Sequence, residues 1–296
     1  MNHLLEPLRG TLSGQVQRFL IGDEPVDDDA LSLPLGDPGL FGPDSVTWRV
    51  HADRAMFVGG LRALLLQTMH PLAMAGVAEH SDYRHDPLGR LNRTARFIGT
   101  TTFAGTEAAQ QAIDVVRFVH QRVNGTAPDG RPYDANDPAL LCWVHSTEVA
   151  SFLKAYQRYG DGPRLTSAEC DRYYAEVSQI AIALGASDVP RSVAEMTAYF
   201  AGVRSELRAD RQARDTTRWL MMPPLPLAAR PAYTVICAAA IAMLPSFVRR
   251  RLLLIQPPLS DPLLIQPATR SLLGALGWVM DPDNAAVAAA RARAAG

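Results

Sequence analysis

Lysine is almost missing from this sequence: Lys154 is the only one, and every other Lys/Arg position is arginine. Schiff-base chemistry therefore has one candidate, in an otherwise ordinary helical run. Cysteine is scarce too. Cys142, Cys170 and Cys237 are odd in number, far apart and never in a CxxC pair, which excludes a disulfide framework and a thiolate zinc site and points to a reducing compartment. Excess charge is missing: the net charge of −1 argues against general affinity for nucleic acid or anionic membranes. No alternating run bounded by an Asn-Gly or Asp-Gly turn signals a strand. The N-terminus, MNHLLEPLRG, lacks a basic segment followed by an apolar run, so no signal peptide is expected and the location is expected to be cytoplasmic. One long apolar run exists, Ala232 to Val248, followed by Arg249, Arg250 and Arg251. It is slightly short for a membrane span and Pro245 interrupts it, so it predicts a buried core helix, with a helix resting on a membrane as the lesser alternative.

What is present is apolar and helical. With 296 residues, 48% of them apolar and 20% charged, the chain can bury a large core without staples. Apolar residues recur at the 3.6-residue helical period. The first 44 residues are rich in Pro, Gly and Asp and predict an arm with one short helix near Gln15 to Leu20. Regular structure is expected from Ser45. Asp86-Pro87 and Asp137-Pro138 set an N-cap before a first-turn proline, Thr166 with Glu169 and Ser192 with Glu195 have capping-box spacing, and Gly125, Gly160 and Gly185 sit where helices should stop. These signals predict helices at 45–69, 71–80, 87–102, 106–123, 138–159, 167–184 and 192–209, several more beyond, and a last one at 283–295. No repeat or long linker divides the chain, so residues 45–296 predict a single all-α domain behind an arm at 1–44.

Histidine carries the chemical interest. The helix 106–123 puts Ala109, Ile113, Val116, His120 and Val123 on one apolar stripe. A neutral imidazole on a buried face needs a partner for each ring nitrogen. Iron can supply one, since imidazole is a common haem axial ligand; taken alone, a hydrogen-bonded core histidine explains the position as well. On the preceding helix, Arg90, Arg93, Thr94 and Phe97 are spaced to line one face. Two arginines and a hydroxyl suit the two carboxylates of a haem, and a solvated basic face is the alternative. His70 precedes Pro71 at a helix break, where it could be distal or simply cap carbonyls. His145 shares a face with Glu148 and Phe152, as a second axial candidate or a hydrogen-bonded partner of Glu148. His80 and His85 flank a loop.

The run Arg90-x-x-Arg93-Thr94, followed 26 residues after Thr94 by VRFVHQRV with His120, resembles the latex-clearing-protein and MpaB-type oxygenase family. So do QTMHP (Gln67 to Pro71), EHSDYRHDP (Glu79 to Pro87) and CWVHST (Cys142 to Thr147). The resemblance implies an all-α fold with a globin-like core that binds haem b, His120 as proximal iron ligand, and Arg90 and Thr94 lining the haem pocket. It also implies a small hydrophobic substrate with dioxygen or peroxide. The family's Arg-x-x-Lys-Thr lysine, a distal ligand in rubber-cleaving members, is Arg93 here, and arginine is a poor iron ligand. The glutamate base of those members falls, by offset, near Met74, with Glu79 nearby. Arg93, Glu79 and His70 are thus the candidate catalytic residues. Arg90, Arg93, Thr94, Phe97 and His145 are the candidate haem contacts.

Two other classes fit an all-α chain. A di-iron carboxylate protein needs paired Glu-x-x-His motifs, and only the reversed His145-x-x-Glu148 occurs. A helical binding protein with an apolar pocket for a lipid or isoprenoid would suit the Leu and Met runs at Leu64 to Met74 and Leu220 to Leu227, as would a haem sensor or store.

Overall fold

Asp137 opens the longest helix by accepting a hydrogen bond from the Ala139 amide at 2.8 Å, with Pro138 in the first turn where no amide is needed. Thr166 and Glu169 form the reciprocal capping box expected of them, and Gly185 ends that helix with a φ of +109°, a left-handed conformation glycine adopts without cost. The structure, a computed structural model, describes residues 36–81 and 87–279, with the side chains of 87–91 and of Val279 left out. Its helices are α1 (Val46–His51), α2 (Met56–Gln67), α3 (Pro71–His80), α4 (Pro87–Phe103), α5 (Thr106–His120), α6 (Pro138–Tyr159), α7 (Ser167–Leu184), α8 (Val193–Val203), α9 (Arg211–Met221), α10 (Arg230–Met243), α11 (Ser246–Arg251) and α12 (Gln266–Val279). The fold is all-α. The expected short helix at 15–20 and the terminal helix at 283–295 lie outside the described residues.

The core has two main parts. α2 lies along α6, and α10 and α12 close over them through Val58, Leu65, Met69, Trp143, Met243 and Leu273. On the other side of α6, α1 and α7 bury Val50, Phe152, Tyr173 and Val177. Gly59 sets how closely α2 and α6 approach: a Cβ there would stand 3.0 Å from Phe152 Cδ1 and 3.1 Å from the Ser151 carbonyl oxygen. Buried Arg62 crosses the same interface, donating from Nε to the Met243 carbonyl at 3.1 Å and from Nη1 to Ser151 Oγ at 2.6 Å.

Four expectations are corrected. The helix expected at 45–69 is broken after His51, where the Asp53 carboxylate turns the chain by accepting from the amides of Ala55 and Asp161. The helix expected at 106–123 ends at His120, because the chain leaves it for a small antiparallel hairpin, β1 (Asn124–Thr126) and β2 (Pro132–Asp134). This hairpin, turning at Asp129-Gly130, was not expected. Gly125 is a strand residue rather than a helix stop; a Cβ there would sit 2.7 Å from the Tyr133 hydroxyl. The helix expected at 192–209 closes at Val203. The long apolar run is a core helix as predicted, with Cys237, Ala239, Ala240 and Met243 buried and the chain broken at Pro245. Among the described residues, no helix is long and apolar enough to cross a membrane.

Candidate active site

α5 carries its apolar stripe as expected. Ala109 and Ile113 are fully buried, Val116 and His120 half-buried, and His120 stands at the helix end facing the hairpin. Its Nδ1 is buried and has no hydrogen-bond partner. Burial lowers the His120 pKa, and nearby Asp134 on β2 only partly opposes this, so the ring is neutral at pH 7. A neutral imidazole with an unsatisfied buried nitrogen is either a cost or a ligand.

A second such imidazole sits on α6. The Nε2 of His145 is buried without a partner, and burial holds its pKa at about 4. Glu148, one turn on, accepts from Gln67 Nε2 at 3.4 Å. His145 and Glu148 line a cavity of about 40 Å³ with His51, Phe97, Thr101 and Phe152, closed further by Ile98, Val149 and Val177. That is room for a water or a diatomic molecule, since a water needs roughly 10–15 Å³ of such space.

Sequence reasoning missed His51. It ends α1, with Nδ1 2.8 Å from the Thr102 hydroxyl of α4 and Nε2 3.0 Å from the Tyr173 hydroxyl of α7. Burial, together with the neighbouring His145, brings its pKa down to about 3. These three groups come from helices far apart in the chain, and no local signal marks them.

The other candidates are placed as follows. Phe97 lines the cavity; about one helical turn before it Thr94 is half-buried and Arg93 exposed, neither lines the cavity, and both have partners. The Arg90 side chain and His85 lie outside the described residues. His70 caps an N-terminus, not carbonyls: its Nδ1 accepts from the Ala73 amide at 3.4 Å, and its Nε2 is 3.7 Å from Glu206. Burial lowers its pKa against the pull of Glu206. Glu79 ends α3 at the surface, accepting a short hydrogen bond from the Tyr133 hydroxyl, and Met74 is buried. His80 Nε2 lies 3.0 Å from that hydroxyl and 3.2 Å from the Asn124 carbonyl.

An open cleft of about 520 Å³ lies elsewhere, over α1 and the start of α7, and two ion pairs lie within it: Arg49 with Glu169, and Arg54 with Asp161 at 3.2 Å. Among the described residues, no three His, Cys, Asp or Glu side chains gather as a metal site. A neutral imidazole with a partnerless buried nitrogen, as at His120 and His145, has the donor chemistry to ligate a metal.

Comparisons with curated proteins and with solved structures return no match. A family model described as "ER-bound oxygenase mpaB/B'/Rubber oxygenase, catalytic domain" matches residues 48–278, which span both core clusters, the hairpin and every histidine of the site. The chain therefore belongs to the MpaB and rubber-oxygenase family, a family of oxygenase catalytic domains.

Proposed function

We propose that this protein is a haem b-dependent oxygenase acting on a small hydrophobic organic substrate with dioxygen or peroxide, with His120 as the proximal iron ligand. The observation that carries this reading is the buried, partnerless Nδ1 of a neutral His120 at the end of α5, within an oxygenase domain. When bound, haem supplies a redox-active iron at which dioxygen or peroxide is activated. The protein's contribution is to hold and to surround. α4 packs beside α5, and its Arg90 and Arg93 are the donors assigned to the propionates, with Thr94 as the hydroxyl between them. Phe97, Val149, Phe152 and Val177 give the cavity at His145 an apolar wall, a surrounding in which electrostatic interactions are strengthened. His51, bonded at both nitrogens, fixes α1, α4 and α7 around that cavity.

A hydrophobic substrate is supported by the outer face of α5. Val115, Phe118 and Val119, in the last turns before His120, are half or more exposed, an unusual display of apolar surface beside a functional residue. The 40 Å³ cavity does not hold a macrocycle, which needs several hundred Å³. Haem binding is thus expected to repack side chains around α4 and α5. The test is the visible spectrum of the purified protein, oxidised and dithionite-reduced, with a pyridine haemochrome assay. A Soret band and about one haem per chain is the expected result; a colourless protein from haem-supplemented cells would sink it and favour an apolar-ligand binder.

A further inference from the structure

Soluble proteins rarely spend strain to show leucine to water. The segment after α11 does so. α11 closes in a Schellman motif, with the Leu254 amide donating to the Arg249 carbonyl at 2.9 Å and the Leu253 amide to the Arg250 carbonyl at 3.3 Å. The left-handed residue of that motif is ordinarily glycine; here it is Leu253, with φ of +59°. Leu259 repeats the pattern at φ of +61°. Each costs about 1–2 kcal/mol in backbone strain relative to glycine. Neither leucine recovers this by burial. Leu253, Ile255, Leu259, Leu263 and Leu264 are each between 65% and 89% exposed.

The segment is also held rigid. Asp261 is ion-paired to Arg158 of α6, Ser260 Oγ donates to the Pro257 carbonyl at 2.7 Å, and Arg214 Nε reaches the Arg251 carbonyl at 3.4 Å. Its charge is one-sided. Residues 249–278 contain four arginines and one acid, Asp261, which is already neutralised by Arg158. Arg250 and Arg270 are exposed and, among the described residues, neither has a carboxylate partner.

We propose that residues 253–264 are a docking element for an anionic lipid surface, with the five aliphatic side chains entering the interfacial layer and Arg250 and Arg270 engaging headgroup phosphates and carboxylates. Aliphatic insertion combined with cationic attraction is the physical recipe for reversible peripheral membrane binding. The apolar run at 232–248 plays no part, since it is core. The strain at Leu253 and Leu259 then has a use, because glycine would satisfy the backbone but leave nothing to insert.

Glycine also makes the test clean. The full-length protein is co-sedimented with phosphatidylcholine vesicles, with and without phosphatidylserine, over a range of salt. The expected result is binding that phosphatidylserine strengthens and salt weakens. The double variant L253G/L259G should bind about tenfold more weakly, with a melting temperature no lower than that of the parent because the strain is relieved. Reversing charge with R250E/R270E should remove the preference for phosphatidylserine. Absence of binding overturns the proposal, as does binding undiminished by either the leucine substitutions or the removal of phosphatidylserine. So does a dimer in sedimentation velocity that L253G/L259G converts to monomer without vesicle binding, since a second copy would then be the occupant.

Discussion

His51 and Tyr173 are bonded to each other across the interior, Nε2 to hydroxyl at 3.0 Å. The other His51 nitrogen is taken by Thr102. This is the difference between His51 and two other histidines: its ring is complete, whereas His120 and His145 each keep one buried nitrogen without a partner. His51 is therefore structural, a neutral tie between α1, α4 and α7.

That tie has a pH signature in the haem-free protein. The His51 pKa is near 3 in the folded chain and about 6.5 when unfolded. Between those values the unfolded state binds a proton that the folded state refuses, so stability falls as pH falls through this window and is recovered above it. The slope is roughly 1.4 kcal/mol per pH unit for this one group. Thermal melts from pH 7 to pH 5 should show the decline, and His51→Gln, although less stable at pH 7, should show a shallower one. A parent whose melting temperature is flat over that range would disprove the buried neutral state.

Gly59 faces Phe152 and Ser151 so closely that a Cβ would stand 3.0–3.1 Å from them, and a neighbour would have to give way. The atoms a new Cβ would meet include the Phe152 Cα and the Ser151 carbonyl, which are backbone and cannot rotate away. Gly59→Ala should lower stability by about 1–3 kcal/mol, the usual cost of overpacking. Because Phe152 also lines the cavity, haem occupancy should fall with it. Urea unfolding measures the first and the Soret absorbance the second; unchanged stability would mean that α2 and α6 have room to part.

Much of this architecture is legible where helix ends carry their own chemistry. Asp137-Pro138, the Thr166 and Glu169 pair and Gly185 bound α6 and α7 at the residues expected, because caps act within a few residues of sequence. Ser192 is the N-cap expected, but the Glu195 carboxylate accepts from the Arg191 amide. The break after His51 is not legible: Asp53 turns the chain partly by holding the Asp161 amide, a contact over more than a hundred residues. The hairpin escapes for another reason, since three-residue strands such as Asn124–Thr126 are too short to show alternation. At the site, periodicity foresees the His120 stripe, whereas the joining of His51, Thr102 and Tyr173 is tertiary throughout.

Arg62 is a buried cation that has exchanged water for carbonyl and hydroxyl oxygen. It serves the C-terminal end of α10 from inside the core, where Arg249 also donates from Nη1 to the Leu244 carbonyl at 2.9 Å. Cations are favoured at that end of a helix, and burial still lowers the guanidinium pKa to about 10, leaving it charged at pH 7. Arg62→Ala should destabilise by about 2–4 kcal/mol, from lost packing and an unsatisfied Met243 carbonyl. Arg62→Met keeps most of the volume, so its smaller loss isolates the hydrogen bonds. Equal losses in the two variants, measured by urea unfolding, would show that the lost volume contributes little and the polar contacts carry the effect.

On the proposed haem reading, the choice between His120 and His145 as iron ligand is decided by what each variant leaves behind. Both rings are neutral at pH 7, so neither must lose a proton to bind iron. His120 stands at a helix end, where the negative charge of Asp134 on β2 favours its protonated form without outweighing burial. His145 shares its cavity with His51, Thr101, Thr102 and the half-buried Glu148 as well as apolar side chains. His120→Ala should abolish haem retention, and His120→Gly should recover it when imidazole is supplied in solution. His145→Ala should keep haem near one per chain while altering the spectrum of the carbon monoxide complex, because it changes the cavity and leaves the proximal bond. Asp134→Asn should keep haem but raise the iron's reduction potential, since removing the negative charge weakens ligand basicity. If His145→Ala loses haem and His120→Ala does not, the two histidines exchange roles and the proximal side of the site lies on α6.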